Sequence, residues 1–216
     1  MIYIQKDKEP DEIVNWKKKF KNKNKRKPYY KDIKSKPEKQ QLKESLIREQ
    51  KYLCCYCCNR ISDKNSHIEH FVPQSIDKEL SLEYTNLHAS CQGEKGDQKH
   101  CGHAKGNDYN ETLLISPLDE NCENRFAYLG DGKIVPGNPT DQGAEYTIKL
   151  LALNDERLKK ARAEAMWMSG IFDVKDKEGK EKLIEKYSHP TDGKRVPFCN
   201  AILYHLRKDQ ESAGSK

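Results

Sequence analysis

Six of the chain's eight cysteines fall between residues 54 and 101, and that crowding limits the fold more than any other feature. An ordinary core has no use for thiols packed so densely. In CCYCC, pairing Cys54 with Cys57, or Cys55 with Cys58, puts two thiolates on one tight knuckle, the usual first half of a tetrahedral zinc site. Cys91 and Cys101 supply the second half, separated by the glycine-containing excursion QGEKGDQKH, which is expected to be flexible. Spacing leaves the first pair's register open. A zinc held this way is closed and structural, and fixes a unit too small to support itself by apolar burial. Clustered cysteines suit metal in a reducing compartment better than disulfides. No apolar run approaches the ~18 residues of a membrane span, and MIYIQKDKEP has no signal-peptide core. The expected location is cytoplasmic.

Between the cysteine pairs, HIEHFVPQS reads as a short strand ended by Pro73, with His67, Glu69 and His70 as its polar members. YTNLHASC supplies Asn86, and CGHAKGN supplies His103, Lys105 and Asn107 where a helix can begin after glycine. An imidazole titrating near ~6.5 can take a proton from water at neutral pH, and a neighbouring carboxylate can hold a hard divalent cation. Strand alternation sends Glu69 and His70 to opposite faces, so a bend is expected there. His67 shares a face with Glu69 and is expected to be structural. His88 and His100 are expected in loops.

The order acid–His, Asn, then His or Asn, set between cysteine pairs, resembles the HNH endonuclease family. The segments C-x-Y-C, I-E-H-F-x-P-x-S, N-L-x-x-S-C and H-C-G-H-x-K-G are similar to the HNH proteins of Septu and retron-associated anti-phage systems. The resemblance spans Cys54 to Asn107. It implies a ββα-metal core, with His70 as general base and Glu69 and His103 on a catalytic Mg²⁺ or Mn²⁺, Asn107 competing with His103 from the same helical face. Asn86 would orient the base, although an ordinary turn asparagine fits the position too. Lys105 would touch phosphate or lie in solvent. The pattern C-x-Y-C favours Cys54 and Cys57 as the zinc pair. The resemblance also implies phage defence beside an ABC-type ATPase, and no nucleotide-binding motif occurs in this chain.

Charge narrows the partners. Of the residues, 34% are charged, against about 25% ordinarily. From Lys17 to Lys39 there are twelve basic residues and two acids, so this segment carries +10 in a chain of net +6. Such a run is either a solvated arm or one that neutralises phosphates through Lys23, Lys25, Arg26 and Lys27, with Tyr29 and Tyr30 stacking on bases.

The flanks read as structure. MIYIQ suggests a strand, DEIVNWKKKF a helix facing inward through Ile13, Trp16 and Phe20, and EKQQLKESLIREQKYL a second helix. RFAYL and KIVP form a hairpin about Gly130-Asp131-Gly132. Four helices are expected after it. Thr140 and Asn154 are candidate N-caps of the first two, Leu158, Ala161, Ala165, Met168 and Phe172 an inward stripe, and ESAGSK a disordered tail. The expected whole is an α+β protein. Residues 1–53 form a strand, basic arm and helix, 54–110 a zinc-supported core, and 111–216 a hairpin and helical region. The expected activity is phosphodiester hydrolysis in nucleic acid, DNA before RNA such as tRNA. A zinc-dependent module that binds nucleic acid without cutting is the alternative.

Overall fold

The computed structural model describes residues 1–92 and 99–214, so the part of the expected flexible excursion at 93–98 lies outside the described residues. The first ten residues form no regular element, although Met1, Ile2 and Ile4 are buried. Ile4 N–H donates to the Pro117 carbonyl at 2.8 Å and Tyr3 N–H to Glu123 Oε1 at 3.0 Å. MIYIQ is thus not a strand: no ladder partner lies beside it, and bonds to the Pro117 carbonyl and the Glu123 side chain hold its backbone instead.

Helix α1 (Asp11–Asn24) starts after Pro10 with Asp11 and Glu12 in its first turn, carries Lys21 and Lys23 in its last, and stops at left-handed Lys25. These are the charges the helix dipole favours at each end. The basic run is therefore ordered: it completes α1, turns, and enters α2 (Tyr30–Ile33) and α3 (Pro37–Glu49). Proline suits the first position of α3, where its missing N–H is no loss. Leu42, Leu46 and Ile47 of α3 are buried, as their spacing requires.

Strand β1 (Ser66–His70) pairs antiparallel with β2 (Leu87–Cys91), placing His67 opposite Ser90 and Glu69 opposite His88. The single-turn helix α4 (Gly102–Lys105) follows. Gln50 completes the edge of β2: its Nε2 donates to the Ala89 carbonyl and its Oε1 accepts from Ala89 N–H, each at 2.7 Å.

The predicted hairpin forms as β3 (Phe126–Tyr128) and β4 (Ile134–Pro136). Helix α5 (Gln142–Leu150) is capped by Asp141, which accepts from Ala144 N–H at 2.9 Å, whereas Thr140 bonds to Asn138. Asn154 does not cap either. Its amide meets both the N–H and the carbonyl of Ile134 at 2.8 Å, and Asp155 caps α6 (Glu156–Met168). Along α6 the buried row is Leu158, Arg162 and Met166; Met168 is 88% exposed and Phe172 37%. The predicted stripe is rotated because Arg162 is accommodated inside, donating to the Gly132 and Leu153 carbonyls. Helices α7 (Lys177–Ser188) and α8 (Cys199–Gly214) complete the chain. The expected disordered tail is helical through Gly214, and 215–216 lie outside the described residues.

The result is a mixed α+β architecture with eight α-helices and two two-stranded sheets among the described residues. One apolar cluster runs from Ile2 and Leu42 through Tyr56, Leu87 and Phe126 to Leu151 and Ile202. No described helix is long and apolar enough to cross a membrane.

Candidate metal centre and adjoining histidine–carboxylate site

Cys54 and Cys57 sit on a knuckle closed by Cys58 N–H donating to the Cys54 carbonyl at 3.1 Å. Cys91 ends β2, and Cys101 starts α4 from a strained backbone at φ 55. Their four buried sulfurs lie within 4.8 Å of one another, Cys57 Sγ and Cys91 Sγ at 3.8 Å. Zinc–sulfur bonds of about 2.3 Å put tetrahedral sulfurs ~3.8 Å apart, so the set fits zinc. Burial opposes charge on Cys54, yet hydrogen bonds from the Cys101, Cys55, Cys57 and Cys91 thiols hold it well below the usual thiol range. Burial pushes Cys101 well above that range. A zinc ion bound here would hold all four sulfurs as thiolates.

Other groups near the set escaped the sequence reading. Cys91 N–H donates to Cys54 Sγ at 3.3 Å, and Ser90 Oγ accepts from Gly102 N–H at 3.2 Å. His100 lies in a loop, as expected, but is buried there, its Nδ1 lying 3.6 Å from Cys91 Sγ and 3.3 Å from Cys101 Sγ. Its place immediately before Cys101 was the available signal. Cys55 and Cys58 face other parts of the core, and Cys122 is buried in it.

Beyond this centre, Glu69 is buried on β1 with three partners. Lys105 Nζ lies 2.9 Å and the Tyr56 hydroxyl 3.1 Å from Oε1, and His67 Nε2 lies 3.4 Å from Oε2. Burial raises the carboxyl, but hydrogen bonding to His67 and the Lys105 charge outweigh it and keep Glu69 below its ordinary range. The His67 and His103 rings stack at 4.5 Å, 12° from parallel. Partial desolvation, then the neighbouring His67, lowers the His103 pKa although the residue is exposed. Gly102 is pressed against this group: a Cβ there would lie 2.7 Å from His67 Nε2 and closer still to Glu69 Oε2.

Lys105 is 1% exposed, and its ammonium bridges Glu69 to the His70 carbonyl at 3.0 Å, so it holds the carboxylate instead of facing solvent. Removing it strands a buried charge. We expect Lys105→Met to cost about 3 kcal/mol in urea unfolding at neutral pH, and adding Glu69→Gln to restore most of that stability.

Pairing with β2 runs unbroken through His70, and the backbone bends only at Phe71 and Val72. The expected bend between Glu69 and His70 is absent; alternation holds, and Lys105 links the two residues. His70 Nε2 lies 3.0 Å from the Ser81 carbonyl. A carbonyl can only accept, so Nε2 carries the hydrogen and Nδ1 the lone pair. Burial lowers His70 below its ordinary range. Tyr30 stands edge-on to it at 4.6 Å. Asn86 clamps the intervening loop: Oδ1 accepts from Val72 N–H at 2.8 Å, and Nδ2 donates to the Val72 and Leu80 carbonyls at 3.1 Å.

Asn107 lies exposed beyond the end of α4, past Gly106 at φ 54, so it does not share a helical face with His103. In the basic segment Arg26 pairs with Asp32, and Lys27 and Tyr29 with Glu79. Lys23 and Lys25 are exposed.

His88 corrects another expectation. It lies on β2 at 0% exposure with neither ring nitrogen hydrogen-bonded, and burial, then Lys6, holds its pKa far below the ordinary value. Unfolded His88 gains a proton below pH ~6.5 while folded His88 does not. Its neutral burial is therefore free of penalty above that pH, and stability falls as the pH drops, by about 1.4 kcal/mol per unit. His88→Phe should flatten this dependence in urea titrations between pH 5.5 and 7.5.

The chain is similar in sequence to a protein described as an HNH endonuclease. The relative, of Vibrio cholerae serotype O1 biovar El Tor, is described as "Retron Vc95 putative HNH endonuclease" and is 28% identical over 128 residues. The match covers 56% of this chain and 61% of the relative. No family model matches the chain.

Proposed function

We propose that the protein is a metal-dependent HNH endonuclease whose ββα-metal core is β1, β2 and α4 mounted on a structural zinc. One observation carries this reading: Lys105 joins a buried carboxylate and the base-bearing end of β1, while His103 stands against His67 beside that carboxylate. Glu69 and His103 would hold a divalent cation, with His67 as neighbour. Their donors suit Mg²⁺ or Mn²⁺, and His67 Nδ1 is buried without a hydrogen-bond partner. A cation bound there supplies charge neutralisation at the leaving 3′ oxygen.

The chain's own residues do the rest. Ser81 fixes the His70 tautomer, and Asn86 holds the loop carrying Ser81. His70 Nδ1 takes a proton from the attacking water as its oxygen bonds to phosphorus. The bond to the 3′ oxygen breaks, that oxygen is protonated from solvent, and 5′-phosphate and 3′-hydroxyl ends remain. The basic N-terminal segment 1–53 faces nucleic acid, DNA being favoured, and segment 54–110 cuts it. The setting is cytoplasmic phage defence of the Septu or retron kind, gated by an ABC-type ATPase that docks on 111–216, where Trp167, Met168 and Phe172 are exposed.

The test is incubation of labelled DNA and tRNA with the chain, alone and with an ABC-type ATPase of the proposed kind. Cutting is expected in Mg²⁺ or Mn²⁺ and not in EDTA. If neither substrate is cut in any arm while the zinc-loaded chain still binds nucleic acid, the reading is replaced by a binding module.

A further inference from the structure

Three of the six side chains expected to meet nucleic acid in the N-terminal segment are committed elsewhere: Arg26 to Asp32, and Lys27 and Tyr29 to Glu79. A different set is available next to the site. Between α2, α3 and β1 lies a cleft of about 350 Å³ whose walls include Tyr30, Lys36, Lys39, Gln40, Lys43 and His67. No carboxylate lines it among the described residues. Lys43 is paired with Asp63, but Lys36 and Lys39 have no acidic partner among the described residues. Two wall residues touch the proposed machinery directly: Tyr30 meets the His70 ring at 4.6 Å, and His67 Nε2 lies 3.4 Å from Glu69 Oε2.

Resting on the nuclease reading, we propose that this cleft is the phosphate subsite for the strand being cut. Lys36 and Lys39 neutralise the backbone phosphates flanking the scissile one, and Tyr30 closes the cleft towards His70. A lysine serves such a site as a point charge without demanding one orientation. Gln92 also lines the cleft, whereas the Gln40 amide already donates to Glu44 at 2.9 Å. The subsite reads no bases, because phosphate contacts set register and not sequence.

Two measurements on the full chain test it together. Binding of labelled DNA and RNA is followed by anisotropy from 50 to 200 mM salt in a His70→Ala background, which prevents cutting. Lys36→Ala/Lys39→Ala should weaken binding about ten-fold and reduce the slope of log K against log salt by about 1.4 to 1.8, as loss of two phosphate contacts requires. Lys36→Arg/Lys39→Arg should restore both, and Lys160→Ala/Lys175→Ala should change neither. Cleavage by the chain with and without His70 is measured in parallel. Unchanged affinity and slope in Lys36→Ala/Lys39→Ala, with cleavage that depends on His70, overturns the subsite and leaves the nuclease intact. Absence of His70-dependent cleavage with the lysine effect present overturns the nuclease and leaves a phosphate-binding cleft.

Discussion

Stripping zinc from the Cys54, Cys57, Cys91 and Cys101 centre is expected to unfold the chain, not merely loosen it. Structural zinc contributes about 10–16 kcal/mol of apparent binding energy, comparable to or larger than the ~5–15 kcal/mol by which domains are stable. The four ligands come from the knuckle after α3, the end of β2 and the start of α4. Losing the ion frees all three at once and leaves buried thiols that repel when charged. A strong chelator, or Cys57→Ser or Cys101→Ser, should abolish the cooperative thermal transition followed by circular dichroism. Cys55→Ser and Cys122→Ala should keep one zinc per chain by elemental analysis. Retention of the full melting transition after complete zinc removal would rule out a structural role for the centre.

His70→Ala is expected to lower cleavage by about 10²–10⁴-fold, the usual contribution of a positioned general base. The pH dependence carries more information. His70 accepts a proton only when neutral, and burial lowers its pKa, so the rate should rise with pH, with a midpoint below 6.5, and be level at neutrality. His70→Ala should erase that limb while the DNA affinity stays within a few-fold. A residual rate close to wild type would assign the base elsewhere.

The cysteine cluster was legible because thiol chemistry leaves few alternatives; its register followed from the C-x-Y-C pattern and not from spacing. Cys54 with Cys57 and Cys55 with Cys58 have equal spacing. The chain chooses by turning back at Cys58, whose φ of 63 sends its thiol away from the other sulfurs. Helix caps were misplaced by one residue at Thr140 and Asn154 for a similar reason. Asp141 and Asp155 stand next door, and tertiary partners decide which side chain turns inward. The face of α6 was misjudged because hydrophobic spacing cannot anticipate a buried arginine satisfied by two carbonyls. Lys105 and His88 were misread through charge and polarity, which normally signal exposure; what buries Lys105 is an acid thirty-six positions away in sequence.

Cys101 N–H donates to the Leu151 carbonyl at 2.8 Å, so the fourth sulfur is set in place by the loop that follows α5. During synthesis three thiols leave the ribosome early, but the residue that seats the last one emerges some fifty residues after it. The four-cysteine cluster is thus completed only once residue 151 has been made, and a product stopped before it would lack the carbonyl that seats Cys101. Under the proposed nuclease function, such late completion would protect the cell that makes it.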